Sequence, residues 1–98
     1  MNARDQLYQA VLQIPYGRVM SYGDLGASLD TPVSGVIAGK WMASCPIGHP
    51  WWRVVGKDGR LLTARRDPRL AAEQRGLLES EGVVFLDDAV KSDYFVLA

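Results

Sequence analysis

The sequence predicts an α+β domain, mainly α, of the winged helix-turn-helix type, and three observations support this fold class. Helix start and stop signals recur along the chain. Two of the predicted helices are short and are joined by a tight turn at Asp30-Thr31-Pro32, as in a helix-turn-helix. Short runs of β-branched and aromatic residues follow, and an Asp58-Gly59 turn signal between two of them indicates a β-hairpin beside the helices.

Length and composition limit the class of protein. Ninety-eight residues suffice for one domain, which we place at 1–98, and 48% hydrophobic with 22% charged residues is ordinary for a globular chain. No apolar run approaches the roughly 18 residues that a membrane span needs, and the N-terminus has no signal-peptide layout. Cys45 is the single cysteine, so no internal disulfide forms and a cytoplasmic location is expected.

Charge is unevenly distributed although its formal sum is zero. The stretch 40–75 contains eight basic and three acidic residues, and the remainder has the opposite excess. A locally basic face can therefore contact a polyanion in spite of the zero net charge. The alternative is a solvated surface that binds no partner.

The first two helices begin at side chains that cap helices. Asn2, followed by Asp5, predicts a helix that ends near Gln13, ahead of a proline and a glycine. The apolar face of this helix consists of Leu7, Val11 and Ile14. Ser21, with an aspartate three residues later, resembles a capping box and predicts a second helix over about 21–29.

The third helix is expected to begin at the tight turn. Thr31 is a good N-cap and Pro32 a good first helical residue, and the helix should run to about Ser44. Its apolar positions are Ile37, Ala38, Trp41 and Met42.

The second half of the chain predicts a loop, two hairpins and a fourth helix. After a loop at 45–50, the segments 53–55 and 61–62 form the arms of the first hairpin. Asp67 as N-cap and Pro68 as first residue begin the fourth helix, which ends at Gly82. The apolar runs 83–86 and 94–97 should form the second hairpin.

Four motifs in order carry a resemblance to a known family. They are Ile14-Pro15-Tyr16-Gly17-Arg18-Val19, Ser21-Tyr22-Gly23-Asp24-Leu25, the stretch Pro50-Trp51-Trp52-Arg53-Val54-Val55-Gly56, and Leu77-Leu78-Glu79-Ser80-Glu81-Gly82. In this order and spacing they resemble the DNA-binding domain of the 6-O-alkylguanine-DNA alkyltransferases, over roughly residues 5–86. Within that superfamily the chain is most similar to the alkyltransferase-like proteins, which carry Trp in place of the acceptor Cys.

The resemblance implies a protein without transferase activity. Trp51 stands at the position of the acceptor Cys and offers no nucleophilic atom. In the alkyltransferases a His follows the Cys and a Glu steers it; here Trp52 replaces the His and Glu81 matches the Glu. We expect Arg53, which matches an Arg bracing this loop, to pair with Glu81.

The resemblance also implies a set of contacts to DNA. The second helix of the helix-turn-helix would enter the minor groove, and Val36 falls where the family has the Arg that fills the gap of a rotated base. Tyr22 matches the tyrosine that helps to rotate the nucleotide. The predicted DNA-binding residues are Tyr22, Thr31, Ser34, Val36, Lys40 and Arg53. The predicted lesion pocket consists of Tyr22, Pro50, Trp51, Trp52 and Val54.

Three functions follow as hypotheses. The first is non-enzymatic recognition of alkylated guanine in double-stranded DNA by a monomer that signals to nucleotide excision repair proteins and contacts no membrane. The second is a helix-turn-helix interaction or regulatory module that has lost lesion binding. The third is an active alkyltransferase with Cys45 as nucleophile and His49 as base, although their spacing matches no nucleophile motif. We expect no cofactor, and Cys45 with His49 are too few ligands for a zinc site.

Overall fold

The computed structural model describes residues 1–96 as helices around two small apolar clusters. The helices are α1 (Ala3–Leu12), α2 (Tyr22–Ala27), α3 (Gly35–Met42) and α4 (Pro68–Ser80), and the strands are β1 (Met20–Ser21), β2 (Val54–Val55), β3 (Phe85–Leu86) and β4 (Ala89–Val90). Short 3₁₀ helices cover Trp51–Arg53, Leu62–Arg65 and Ser92–Tyr94. The α+β helix-turn-helix prediction is confirmed. Within residues 1–96, no helix is long and apolar enough to cross a membrane.

Three of the predicted helix starts are confirmed by their capping bonds. The Asn2 side chain accepts from the Asp5 N–H at 2.8 Å, and Ser21 accepts from Asp24 at 3.0 Å. Asp67 caps α4 by accepting from the Arg69 N–H at 2.9 Å.

The start of α3 was predicted wrongly. Ser34, not Thr31, is the N-cap, and its hydroxyl accepts from the Ile37 N–H at 3.2 Å. The segment before it stays extended because the Val33 N–H donates to the Gly26 carbonyl at 3.1 Å and fixes this stretch against α2. The helix also ends at Met42, two residues earlier than expected.

The first predicted hairpin is also wrong. The turn exists, since the Gly56 N–H donates to the Arg60 carbonyl at 2.8 Å and Gly59 has a φ of +85°. However, β2 pairs in parallel with β1, with Met20 opposite Val54, and the segment 61–62 leads into a 3₁₀ helix instead. Val54 and Val55 are both fully buried, as is typical of a parallel strand covered on both faces.

The C-terminal hairpin has a different second arm from the predicted one. β3 pairs antiparallel with β4 through a two-residue turn in which Asp87 has a φ of 56°. The segment 94–96 instead brackets Val19, whose N–H donates to the Tyr94 carbonyl at 2.9 Å and whose carbonyl accepts from the Val96 N–H at 2.8 Å. Leu97, the last residue of the predicted arm, lies outside the described residues.

Two core clusters meet at β2. The larger cluster joins α1, α2 and α3 and contains Val54, and the smaller contains Val55 and the α4 residue Leu78. Because successive side chains of a strand point to opposite faces, β2 supplies one valine to each cluster. The residues just before β2 are therefore held between the two clusters.

Candidate functional site

A cavity of about 750 Å³ opens between α3 and the segment that follows β2. Small and apolar residues form much of its wall, and four cationic side chains line it as well. The lining residues are Tyr22, Gly23, Ser34, Gly35, Val36, Gly39, Lys40, Ala43, Gly56, Lys57, Leu62, Thr63, Arg65 and Arg66. Its volume falls within the roughly 300–1,000 Å³ of small-molecule and cofactor sites.

Close backbone contact between α2 and α3 shapes one side of the cavity. A Cβ on Gly35 would lie 3.2 Å from the Cα of Gly23, and one on Gly26 would collide with the Val33 carbonyl oxygen. A side chain at Gly26 is therefore excluded by backbone, and one at Gly35 would be in tight contact with the backbone of α2.

Val36 and Lys40 occupy successive turns of α3 on the cavity side. Val36 is 71% exposed although it is apolar, and Lys40 is also exposed. Residues four apart lie on one face of a helix, so an apolar and a cationic side chain stand together at the cavity edge.

Tyr22 begins α2 and lines the cavity with a partly buried ring. Burial raises the pKa of Tyr22, while the positive charge of Arg66 acts in the opposite direction. The hydroxyl therefore stays protonated at neutral pH and can donate a hydrogen bond to a ligand.

A buried glutamine positions the opposite wall. Gln74 of α4 is fully buried and accepts from the Thr63 hydroxyl at 2.7 Å. Its amide nitrogen donates to the carbonyls of Trp52 and Val54 at 3.1 and 2.9 Å. One side chain thus ties the cavity wall at Thr63 to the backbone around β2.

The two tryptophans point toward different clusters and line no part of this cavity. Trp51 packs against the larger cluster and Trp52 against the smaller, with the rings edge-on at 6.1 Å between centroids. Pro50 and Val54 are buried. Of the five residues predicted for a lesion pocket, only Tyr22 lines this cavity, and the predicted pocket stays a prediction.

The Glu81 carboxylate is a shared hydrogen-bond acceptor for the loop around Trp52. It accepts from Trp52 Nε1 at 2.7 Å, from Arg53 Nη2 at 2.8 Å and from the Gly17 N–H at 2.7 Å. Burial alone would raise the pKa of Glu81, but the hydrogen bonds from Arg53, Gly17 and Trp52 and the charge of Arg53 hold it below its ordinary value. The expected Arg53–Glu81 ion pair is confirmed.

The predicted DNA-binding residues divide between the cavity and other places. Four of them line the cavity: Tyr22, Ser34, Val36 and Lys40. Thr31 is exposed in the turn before α3. Arg53 is 14% exposed and also donates to the Ile14 carbonyl at 2.9 Å, so its guanidinium is engaged inside the protein.

Several cavity residues were missed by the sequence reasoning. They are Lys57, Leu62, Thr63, Arg65 and Arg66. The excess of basic residues between positions 40 and 75 signalled the cations among them, but not the face on which they lie.

Cys45 is not arranged as a nucleophile. It is partly buried, and burial raises the pKa of its thiol. A raised pKa keeps the sulfur protonated and unreactive. Among residues 1–96 there is no group of three or more His, Cys, Asp or Glu side chains that could hold a metal ion.

Comparison with known proteins identifies the family. Residues 2–83 match the model of the 6-O-methylguanine DNA methyltransferase DNA-binding domain. The chain is 35% identical over 81 residues to alkyltransferase-like protein 1 of Schizosaccharomyces pombe, covering 80% of this chain and 73% of that protein. It is 31% identical over 80 residues to a DNA base-flipping protein of Vibrio parahaemolyticus, covering 80% and 77%.

Solved structures agree with this assignment. S. pombe Atl1 in complex with damaged DNA containing O6-carboxymethylguanine superposes with a TM-score of 0.83 at 26% identity, covering 98% of this chain and 95% of that one. The O6-methylguanine methyltransferase of Mycobacterium tuberculosis gives 0.68 at 29% identity, covering 83% of this chain and 48% of that one. The chain therefore belongs to the 6-O-methylguanine DNA methyltransferase family, and its Pro50-Trp51-Trp52-Arg53 loop places it with the alkyltransferase-like members.

Proposed function

We propose that this chain is a non-enzymatic DNA-damage recognition protein that binds 6-O-alkylguanine in duplex DNA. The observation that carries the proposal is the cavity beside Tyr22, which opens along the second helix of the helix-turn-helix. Its relatives include proteins named for DNA base flipping, and S. pombe Atl1 has been solved with damaged DNA. In our proposal α3 lies in the minor groove and the modified guanine rotates into the cavity.

The chemistry of the loop argues against alkyl transfer. Removing an alkyl group from a guanine oxygen requires a strong nucleophile such as a thiolate. Trp51 supplies none, and the raised pKa of Cys45 keeps that thiol protonated. Because the chain would bind the adduct without removing it, we propose that nucleotide excision repair proteins are its partners and complete the repair.

Val36 is the residue we propose for filling the gap left by the rotated base. Its side chain is 71% exposed at the edge of the cavity. Minor-groove proteins insert apolar side chains between base steps, so an exposed valine can do part of what the family arginine does.

The test measures affinity and base rotation together. A labelled duplex with one 6-O-methylguanine and a matched unmodified duplex are titrated by fluorescence anisotropy. A 2-aminopurine placed beside the lesion reports unstacking. We expect tighter binding and a brighter 2-aminopurine signal on the modified duplex, because rotation exposes its neighbour.

Two matched valine variants localise the effect. Val36→Ala should weaken lesion binding by about fivefold through lost apolar contact with the DNA. Val84→Ala, on an exposed valine outside the cavity, should leave binding unchanged. Equal, weak binding of the unsubstituted protein to both duplexes would sink the lesion-recognition proposal.

One observation favours a second function. Val36 and Ile37 are 71% and 40% exposed on α3, and exposed apolar residues on a recognition helix also suit a protein partner. If the chain were such an interaction module, it would have no DNA affinity that falls steeply as the salt concentration rises. A protein that contacts DNA phosphates must have a salt-dependent affinity of this kind.

A further inference from the structure

The hairpin of β3 and β4 has one covered edge and one open edge. The Lys91 N–H donates to the Val84 carbonyl at 3.1 Å. Antiparallel pairs alternate in kind, so the next pair, Phe85 with Val90, directs its backbone groups away from the hairpin's own ladder. On β4 the outward Val90 N–H donates to the Gly59 carbonyl at 3.0 Å, whereas on β3 the Phe85 N–H and carbonyl have no such partner among the described residues. The β3 edge is therefore free to pair with another strand.

Two apolar side chains are exposed on the outer face of β3. The Phe85 ring lies against α4, where Arg75 Cζ is 4.4 Å from the ring centroid. Because successive side chains alternate across a strand, Val84 and Leu86 point to the opposite face, and they are 46% and 63% exposed. An open strand edge beside exposed apolar side chains is the arrangement that strand addition by an extended peptide uses.

The surroundings of this edge are acidic. Residues 83–96 contain three aspartates, Asp87, Asp88 and Asp93, against a single lysine, and all three aspartates are exposed. Asp88 lies 3.8 Å from Arg75 Nη1, but the Asp88 side chain is 92% exposed, so a bound cation can replace this contact. The edge therefore favours a cationic partner and repels a nucleic acid.

The hairpin and the cavity beside Tyr22 carry opposite charge. Four cations line the cavity, and no described aspartate or glutamate does. Among the described residues from position 83 onward, none lines the cavity. Because a polyanion is attracted to the cavity and repelled from the hairpin, we expect β3 to stay accessible to a protein while DNA is bound.

We propose that β3 is a docking edge for an extended, cationic segment of a partner protein, which joins the hairpin as a third strand. The backbone of that segment pairs with the Phe85 N–H and carbonyl, and its apolar side chains pack on Val84 and Leu86. Its lysine or arginine side chains lie near Asp87 at the tip of the hairpin. The inference adds a partner surface to the proposed function and does not depend on lesion binding.

The experiment titrates isotope-labelled protein with a short peptide of alternating lysine and valine residues and follows the backbone amides by NMR. We expect the Phe85 amide signal to move and its hydrogen exchange to slow, because the N–H gains an acceptor. Two control peptides have the same length. One has glutamate in place of lysine, and the other carries N-methyl groups on alternate backbone amides. Both should bind about tenfold more weakly, since the first reverses the charge and the second removes backbone hydrogen bonds.

Two leucine variants localise the binding. Leu86→Lys places a positive charge on the outer face of β3 and should weaken the lysine–valine peptide by about tenfold, through repulsion and lost apolar contact. Leu12→Lys makes the same change on α1, at a leucine that is 43% exposed, and should leave the affinity unchanged. Both positions are exposed, so both variants should melt close to the unsubstituted protein.

Four results would overturn the inference. Absence of binding by the lysine–valine peptide, or equal binding by its glutamate counterpart, rules out a cationic partner. A bound peptide that leaves the Phe85 amide unchanged rules out strand addition. A Phe85 signal that moves when the protein alone is diluted assigns the edge to a second copy of this chain. If the peptide results hold but no duplex with a modified guanine is preferred, the docking edge stands and lesion recognition fails separately.

Discussion

Replacing Glu81 by glutamine should destabilise this fold far more than the same change elsewhere on its surface. The Glu81 carboxylate accepts hydrogen bonds from three residues in two separate segments: Gly17, and the adjacent Trp52 and Arg53. Glutamine keeps one acceptor oxygen, but it removes the charge that pairs with Arg53 and turns an N–H₂ group toward donors. The change therefore leaves a guanidinium with little access to water and no countercharge.

The burial of the pair sets the magnitude. The side chains of Arg53 and Glu81 are 14% and 5% exposed, so this is not a surface ion pair. Breaking a buried pair by removing one partner costs about 3–5 kcal/mol, and the retained acceptor favours the lower end, about 3 kcal/mol. For a domain of this size, each kcal/mol lowers the midpoint of thermal unfolding by about 4–8 °C.

Urea denaturation of Glu81→Gln beside Glu79→Gln measures this effect. Glu79 lies in the last turn of α4, two residues before the C-cap Glu81, and makes an exposed pair with Arg75 at 3.6 Å, so its loss should cost less than about 1 kcal/mol. A Glu81→Gln variant that unfolds within about 1 kcal/mol of Glu79→Gln would refute the conclusion that the Glu81 hydrogen bonds stabilise the loop.

The same interaction predicts a dependence on pH. The folded pKa of Glu81 lies below its ordinary value of 4.5, so the unfolded chain binds the proton more readily. The stabilisation by Glu81 is then complete above the ordinary value and is lost as the pH falls through the folded pKa. The difference in stability between the unsubstituted protein and Glu81→Gln should shrink over that acidic range.

Further substitutions test other parts of the structure. Trp52→Phe keeps most of the packing but removes the N–H donor to Glu81, so urea denaturation should show a loss of about 2 kcal/mol. Gly26→Ala should lower the melting temperature because its Cβ collides with the Val33 carbonyl, whereas Gly76→Ala, in open space on α4, should stabilise by about 0.5–1 kcal/mol. Val36→Arg should raise the affinity for any duplex and steepen its salt dependence by about one unit of slope, measured by anisotropy at several salt concentrations.

Local signals explain which elements the sequence predicts well. A helix cap is decided by a side chain and a backbone N–H only two or three residues later, so Asn2, Ser21 and Asp67 were placed correctly. The α3 cap was decided by a contact between Val33 and Gly26, seven residues away, and the local preference of Thr31 was overridden.

Strand pairing and the cavity depend on contacts that are distant in the sequence. Each strand has only two residues, too few for an alternating pattern to identify its partner. The parallel pairing of β1 with β2 joins positions more than thirty residues apart. The cavity likewise collects residues from α2, α3 and 56–66. The sequence predicted four of them as DNA-binding residues and only Tyr22 as a pocket residue, and it did not predict the wall formed by 56–66.

The replacement of histidine by Trp52 changes what the polar groups of this loop do. At the matching positions of the alkyltransferases, a glutamate steers a histidine toward the reacting thiol. Here the matching carboxylate of Glu81 accepts the Trp52 N–H, which cannot pass a proton on, and also binds Arg53 and Gly17. The former relay becomes a fixed structural contact, and it holds Trp52 on the smaller core cluster while Trp51 packs on the larger one.

We therefore expect stability and DNA affinity to depend on different side chains. The contacts of Glu81 fix the chain just before β2, and β2 continues directly into Gly56 and Lys57 at the cavity wall. Substitutions at Glu81 or Trp52 should therefore change the free energy of unfolding first. Substitutions at Val36 or Lys57, both exposed, should change DNA affinity while the protein remains folded. A variant of Lys57 that unfolds the protein, or one of Glu81 that alters only DNA affinity, would show that this separation does not hold.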